Sequence, residues 1–309
     1  MSITATELMD QVSAPVRRST FLASSMFVRV QQGRYGITRK LGQNEYTTDA
    51  NKDRTRASKT ILVGPEYKAI KDLDVEIYRF VRNNTLPSTL DRGMHVVMND
   101  NAEAFDKAMC EFSERRKPLV RAFVDAFERL ISRDMVELGT TFNQQDYGTP
   151  EQVMNSFAFG WSFVSLDVPQ SLQALSEDMY NRAKEGMEAN YVQAEAVMRD
   201  ILRAEMQDLV THLIGRLGTR EDGKKAIFRD SMVSNFQEFF DSFKKRNITN
   251  DEELSKLVEQ AQALLSGVDP ESLREQDTVR DRVKSSFEDL KQSLDSMIVV
   301  TTNRQINID

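Results

Sequence analysis

The sequence predicts a mainly α-helical protein, a long-helix bundle with a small β element. That β element comes from an N-terminal hairpin, which a strand-like segment near the C-terminus can join. Three observations point to this class. Only 7 Pro and 13 Gly interrupt 309 residues, so long helices can run unbroken. From Pro65 onward apolar residues return at helical spacing. β-Branched and aromatic residues concentrate in two short segments, around 19–41 and 297–304.

The elements follow in order. Phe27–Val30, then Gln31-Gln32-Gly33, then Tyr35–Thr38 reads as a hairpin. A polar, basic, flexible connector closes a first region at 1–64, and a helical body is expected over 65–309. Its first helix opens on Pro65, with Ile70, Leu73, Ile77, Phe80 and Val81 on its apolar face. Met94-His95-Val96-Val97-Met98 is a short strand. The next helix carries Phe105, Met109, Phe112, Leu119, Phe123, Phe127 and Leu130, with a kink or a junction at Pro118. Thr149-Pro150-Glu151-Gln152 spells a capping box with Pro at the first helical position. The longest element spans about 171–217, with Val197, Ile201, Leu209, Leu213 and Leu217 as its buried seam and a left-handed stop at Gly215 or Gly218. A helix of that length needs a partner along it, in the manner of a coiled coil. Further helices carry Phe236, Phe239, Phe240 and Phe243, begin at Asp251, and begin at Asp269-Pro270. A strand is expected about 297–304.

Composition excludes several classes. No apolar run is long enough to span a membrane, and the N-terminal segment has no apolar signal core. The single cysteine, Cys110, forms no internal disulfide and fits the cytoplasm; its neighbours Phe105, Met109 and Phe112 suggest a core position. Residues 1–100 carry 15 Lys and Arg against 11 Asp and Glu, whereas 101–309 carry 26 against 37. A basic N-terminal part on an acidic body suits either a polyanion or contact between subunits.

Catalytic and metal chemistry find little support. Asp49, Asn51 and Asp53 match the first three ligands of a calcium loop, but Arg54 replaces the turn glycine and Thr60 the bidentate glutamate. His95 and His212 lie in no metal-binding motif, and His212 reads as an interface histidine on the long helix. Gly160-Trp161-Ser162-Phe163-Val164 lacks the second glycine of a nucleophile elbow. No catalytic, metal or cofactor residue is therefore assigned.

Two binding expectations remain. Arg39, Lys40, Lys52, Arg54, Arg56, Lys59, Arg115, Arg116 and Lys117 could neutralise phosphates of a nucleic acid. Val197, Ile201, Leu209, Leu213, Phe236 and Phe240 could form a protein interface, either between copies of the chain or with a partner. The interface is the preferred reading and nucleic acid the alternative.

The layout of residues 20–135, with ILVGPEYKAIKDLDVEIYRFVRNNT, MHVVM and DNAEAFDKAMCEFSERRKPLVRAFVDAF, resembles an uncharacterised family of bacteriophage and plasmid proteins. Members are often encoded near MoxR-type AAA+ ATPases and von Willebrand A-domain proteins. The resemblance implies a phage- or plasmid-associated assembly or adaptor protein in the bacterial cytoplasm, with an AAA+ ATPase as a partner. It carries no catalytic residues over.

Overall fold

The computed structural model describes residues 24–219, 225–229 and 231–297. The fold is mainly helical with a small antiparallel β component, as the sequence predicts. In chain order its elements are β1 (Ser25–Gln32), β2 (Thr38–Lys40), β3 (Ser58–Thr60), α1 (Pro65–Asn84), β4 (Leu86–Pro87), β5 (Met94–Met98), α2 (Asn99–Asp125) and α3 (Phe127–Leu138). Then come α4 (Pro150–Asn155), β6 (Phe159–Val164), α5 (Gln170–Leu175), α6 (Glu177–Leu217), α7 (Ser231–Arg246), α8 (Glu252–Leu265), α9 (Pro270–Glu275) and α10 (Asp277–Met297). One sheet has the strand order β4-β5-β1-β6, and β2 pairs with β3 alone.

The chain divides into two compact units. One holds 28–82 and 102–163; the other holds the described residues of 24–27, 83–101 and 164–297. The sequence boundary at residue 64 is not where they part. Ile61 and Leu62, just before α1, share a core with Tyr67 and Ile70 of α1 and with Phe123, Phe127 and Leu130 of α2 and α3. Burial of those apolar side chains binds the β2–β3 region to the helices that follow it.

Within this unit the expected β1–β2 hairpin does not form. Gly33 donates its N–H to Ala158 O at 2.7 Å, and a Cβ there would lie 2.8 Å from Ser156 O. The glycine serves close backbone approach to another segment, not a tight turn. Strand β2 instead pairs antiparallel with β3, Thr38 opposite Thr60 and Lys40 opposite Ser58. The connector between them is a hairpin loop knitted to itself: Tyr46 Oη donates to Thr55 O at 2.8 Å and Lys52 Nζ to Gln43 O at 2.8 Å.

Helix α1 buries Tyr67, Ile70, Leu73, Ile77 and Val81 and begins on Pro65. Helix α2 runs through Pro118, and the break falls later, at Ala126. A proline removes one backbone hydrogen bond, and buried Arg116 and Val120 on either side hold this helix in place. The capping box is present in full: Thr149 Oγ1 accepts from Gln152 N–H, and Gln152 Oε1 accepts from Thr149 N–H.

In the other unit the long element is divided. Ser176 is extended (φ −163°, ψ 119°), ends α5 and caps α6 by accepting from Met179 N–H. Serine followed by Glu177 and Asp178 is itself a helix-start signal. Helix α6 runs 41 residues, roughly 60 Å at the usual rise. Its end at Gly218 is not left-handed, with φ −82°. Its buried row is Ala194, Met198, Leu202, Met206, Val210, Leu213 and Leu217. That row packs in one core with Phe236, Phe239 and Phe243 of α7, Leu254 and Val258 of α8, and Phe287, Leu290 and Leu294 of α10. Phe236 meets Phe287 edge-on at 5.5 Å. The expected final helix is also split, at Gln276. Of the C-terminal strand expected about 297–304, Met297 ends α10 and the rest lies outside the described residues. Among the described residues no helix is long and apolar enough to cross a membrane.

Candidate functional site

Of the residues expected on the long helix, Leu213 lies in the buried row, while Val197, Ile201 and Leu209 each fall one residue short of Met198, Leu202 and Val210. Leu213 and Phe236 are fully buried in the chain's own core, so they are packing residues and present no surface to a partner. Ile201, Leu209 and Phe240 are partly buried and pack against that same core, and Val197 is half-buried. What α6 does leave uncovered is its N-terminal half. No residue from Glu177 to Gln193 is buried, and Met179 and Val192 are exposed. The apolar row nevertheless continues in step: Ala194, Tyr191, Met187, Ala183 and Tyr180 follow at helical spacing. Leu175, at the end of α5, is 80% exposed beside it. A cleft of about 190 Å³ lined by Phe27, Leu166, Asp167 and Tyr191 lies at the inner end of this half.

The nine basic residues expected to meet phosphate do not converge. Lys59 is buried, pairs with Asp146 at 2.6 Å and donates to Thr141 O. Arg116 is buried: its Nε donates to Asp74 Oδ1 at 3.0 Å and its terminal nitrogens to Phe157 O and Gly33 O at 2.9 and 2.8 Å. Both are structural cations, because a buried guanidinium or ammonium is held by its partners and not offered to solvent. Arg39 donates to Asp146 O at 2.9 Å and stacks over Tyr35. Arg115 forks onto Glu76 at 2.6 and 2.8 Å, and Lys117 meets Glu114 at 2.5 Å. Lys52 is tied to Gln43 O. Lys40, Arg54 and Arg56 are exposed.

A different basic surface was hidden by its position on the face opposite the apolar seam. On α1, Lys71, Val75, Tyr78 and Arg82 follow at spacings of four, three and four, which sets them in one stripe, with Lys68 and Arg79 along its border. All are exposed, Tyr78 to 65%. The carboxylates nearest this stripe in sequence are already engaged, Asp72 by Lys68 at 2.6 Å and Glu76 by Arg115.

The buried titratable groups are occupied by structure. Asp134 accepts from Leu62 N–H at 2.5 Å and from Tyr147 Oη at 3.1 Å, and Leu62 holds a left-handed φ of 54° to reach it. Burial, and then the bond to Asp134, push the Tyr147 hydroxyl well above its usual range, so it stays a neutral donor. Arg246 forks onto Glu205 at 2.7 and 2.8 Å and also donates to Thr85 O. Arg280 donates to Leu217 O, Arg216 O and Ala226 O, satisfying carbonyls at the end of α6.

One sequence expectation needs correction. Cys110 is exposed, not part of the core. His212 is also exposed, accepts from Arg216 Nε at 3.3 Å and borders an open cleft with Thr211 and Ile227. Each sits on the outward side of a helix whose neighbouring positions face in. Among the described residues no group of three or more His, Cys, Asp or Glu side chains is placed to hold a metal ion. Comparison of the chain with protein-family models, with curated proteins and with solved structures gives no match.

Proposed function

We propose that the protein is a non-catalytic assembly protein that self-associates through the N-terminal half of α6. One observation carries this reading: beyond Tyr191, which packs on the core and stacks on Phe27, the apolar row of α6 continues through Met187, Ala183 and Tyr180 with no buried residue. A lone helix in water gains little from propensity alone, so such a stripe is expected to find a second surface.

The charges on this half suit a second copy running antiparallel. Arg182 and Lys184 precede Glu185 and Glu188. An antiparallel pair centred on Glu185 sets Ala183 against Met187 and Arg182 against Glu188 of the other copy. A parallel pair in register lays each charge beside its own kind, which disfavours it. The resemblance to phage and plasmid proteins supports a setting in the bacterial cytoplasm. It also supports an AAA+ ATPase as the machine such an assembly serves.

The test is the mass in solution by light scattering, for the native chain and for Met187→Glu and Tyr180→Glu. The expected result is a native dimer, with monomeric variants that melt at the native temperature. A native chain that is monomeric at every concentration, or variants that stay dimeric, would remove self-association through α6.

A further inference from the structure

We propose that the exposed stripe on α1 binds single-stranded nucleic acid, with Tyr78 as a base-stacking platform and Lys71, Arg79 and Arg82 as phosphate contacts. This site is separate from α6 and does not depend on the assembly reading. The argument rests on what the face offers and on which of its charges are already engaged.

Three cations on this face make no salt bridge among the described residues: Lys71, Arg79 and Arg82. The acidic neighbours that would compensate them, Asp72 and Glu76, are paired with Lys68 and Arg115. The Arg115 fork holds the Glu76 carboxyl below its ordinary range. The surrounding segment is positive overall, with 12 Lys and Arg against 7 Asp and Glu over residues 28–82, although the whole chain is acidic. A locally positive stripe on an acidic protein selects an anionic partner at that face alone.

Tyr78 decides which anion. An aromatic ring 65% exposed between cations is poorly placed for packing. It is well placed for a base, whose π-face stacks on it while the backbone runs along the arginines. Bases in a duplex are already stacked on one another and cannot use such a ring. A membrane surface would ask for a broader apolar band than Val75 and Tyr78. The stripe from Lys71 to Arg82 extends about 16 Å along the helix, room for a few nucleotides.

The experiment is fluorescence anisotropy with a short labelled oligothymidine and the full chain, across a salt series. Binding at low salt is expected, falling steeply as salt rises. Tyr78→Ala should weaken it about tenfold with the salt slope unchanged, because stacking releases no counterions. Arg79→Gln with Arg82→Gln should lower the slope of log affinity against log salt by about 1.4, two phosphate contacts at the single-strand value. All three side chains are exposed, so melting temperatures should match the native chain; if the double variant melts lower, Lys71→Gln serves in its place, with about half that change in slope. The proposal is overturned by no binding at low salt. It is equally overturned if Arg54→Gln with Arg56→Gln abolishes binding while the α1 variants do not. Equal binding of duplex or anionic vesicles, or equal competition by polyglutamate, would also overturn it, since each reports charge without stacking.

Discussion

Arg203 and Asp251 meet as a two-pronged pair: Nε lies 2.6 Å from Oδ2 and a terminal nitrogen 3.1 Å from Oδ1. Asp251 also caps α8 by accepting from Leu254 N–H at 3.1 Å. One carboxylate thus joins α6 to the start of α8. Burial works against its charge, but the Arg203 bonds and the Leu254 N–H outweigh that, and its pKa falls below the ordinary 3.8.

Asp251→Ala should therefore cost about 3 kcal/mol at neutral pH, because it strands a nearly buried arginine and removes a helix cap. A carboxyl with a lowered folded pKa stabilises fully above its unfolded pKa. That stability is lost as pH falls through the folded value. Denaturant melts of both proteins should differ at pH 7 and draw together below about pH 3.8. A constant gap across that range would show that the charge is not what holds the junction.

Arg116 and Arg115 are adjacent in sequence and opposite in consequence. Arg116→Ala should cost about 3 kcal/mol or more, since Asp74 is left buried without its main partner. Arg116→Lys should rescue little, because an ammonium cannot reach Asp74, Phe157 O and Gly33 O together. Arg115→Ala, at an exposed and solvent-screened pair, should leave the urea midpoint close to that of the native chain. Equal losses at the two positions in urea melts would contradict the burial assigned here.

His95, in β5, faces Thr85 Oγ1 at 3.1 Å from Nδ1, and burial pushes its pKa below the ordinary 6.5. For a base with a lowered folded pKa the unfolded chain takes up the proton first. Stability is then complete above about pH 6.5 and declines as pH falls below it. His95→Gln should flatten that part of the pH–stability curve. An unchanged curve would mean that His95 has the same pKa folded and unfolded, and so is not buried in solution.

Phe236→Ala should lower stability by about 3–5 kcal/mol through the cavity left against Phe287 and Phe240. It should leave the solution mass of the folded protein unchanged. A lower mass with unchanged stability would return Phe236 to the surface where a sequence reading first puts it.

The helical class, the capping box at Thr149, the α1 seam and the β5 strand were all legible, because each depends on neighbours within one or two turns. In the seam of α6, Leu213 and Leu217 were legible, whereas Val197, Ile201 and Leu209 were read one residue off. Upstream of Leu213 the row includes Ala194, Met198 and Met206, and there a search for Leu, Ile and Val passes to the flanking positions. Which member of Arg115-Arg116-Lys117 turns inward depends on the rotation of α2 against Asp74, forty residues earlier in the chain, and no local pattern records it. Gly33 resembled a turn because the segment it touches, 156–158, is distant in sequence. The α1 stripe has no signature in the apolar periodicity, because Lys71, Val75, Tyr78 and Arg82 lie on the side of the helix that meets solvent.

Phe27 stands near the beginning of the described chain, yet its core is completed by Leu290 and Leu294 of α10. A ribosome makes these residues in order, so this core must wait until α10 has been made before it can close. The other unit has all its residues once Phe163 has emerged, and can fold while synthesis continues. A message truncated between the end of α6 and the start of α10 would yield one finished unit and one with the α6 row laid bare, a substrate for chaperones and proteases.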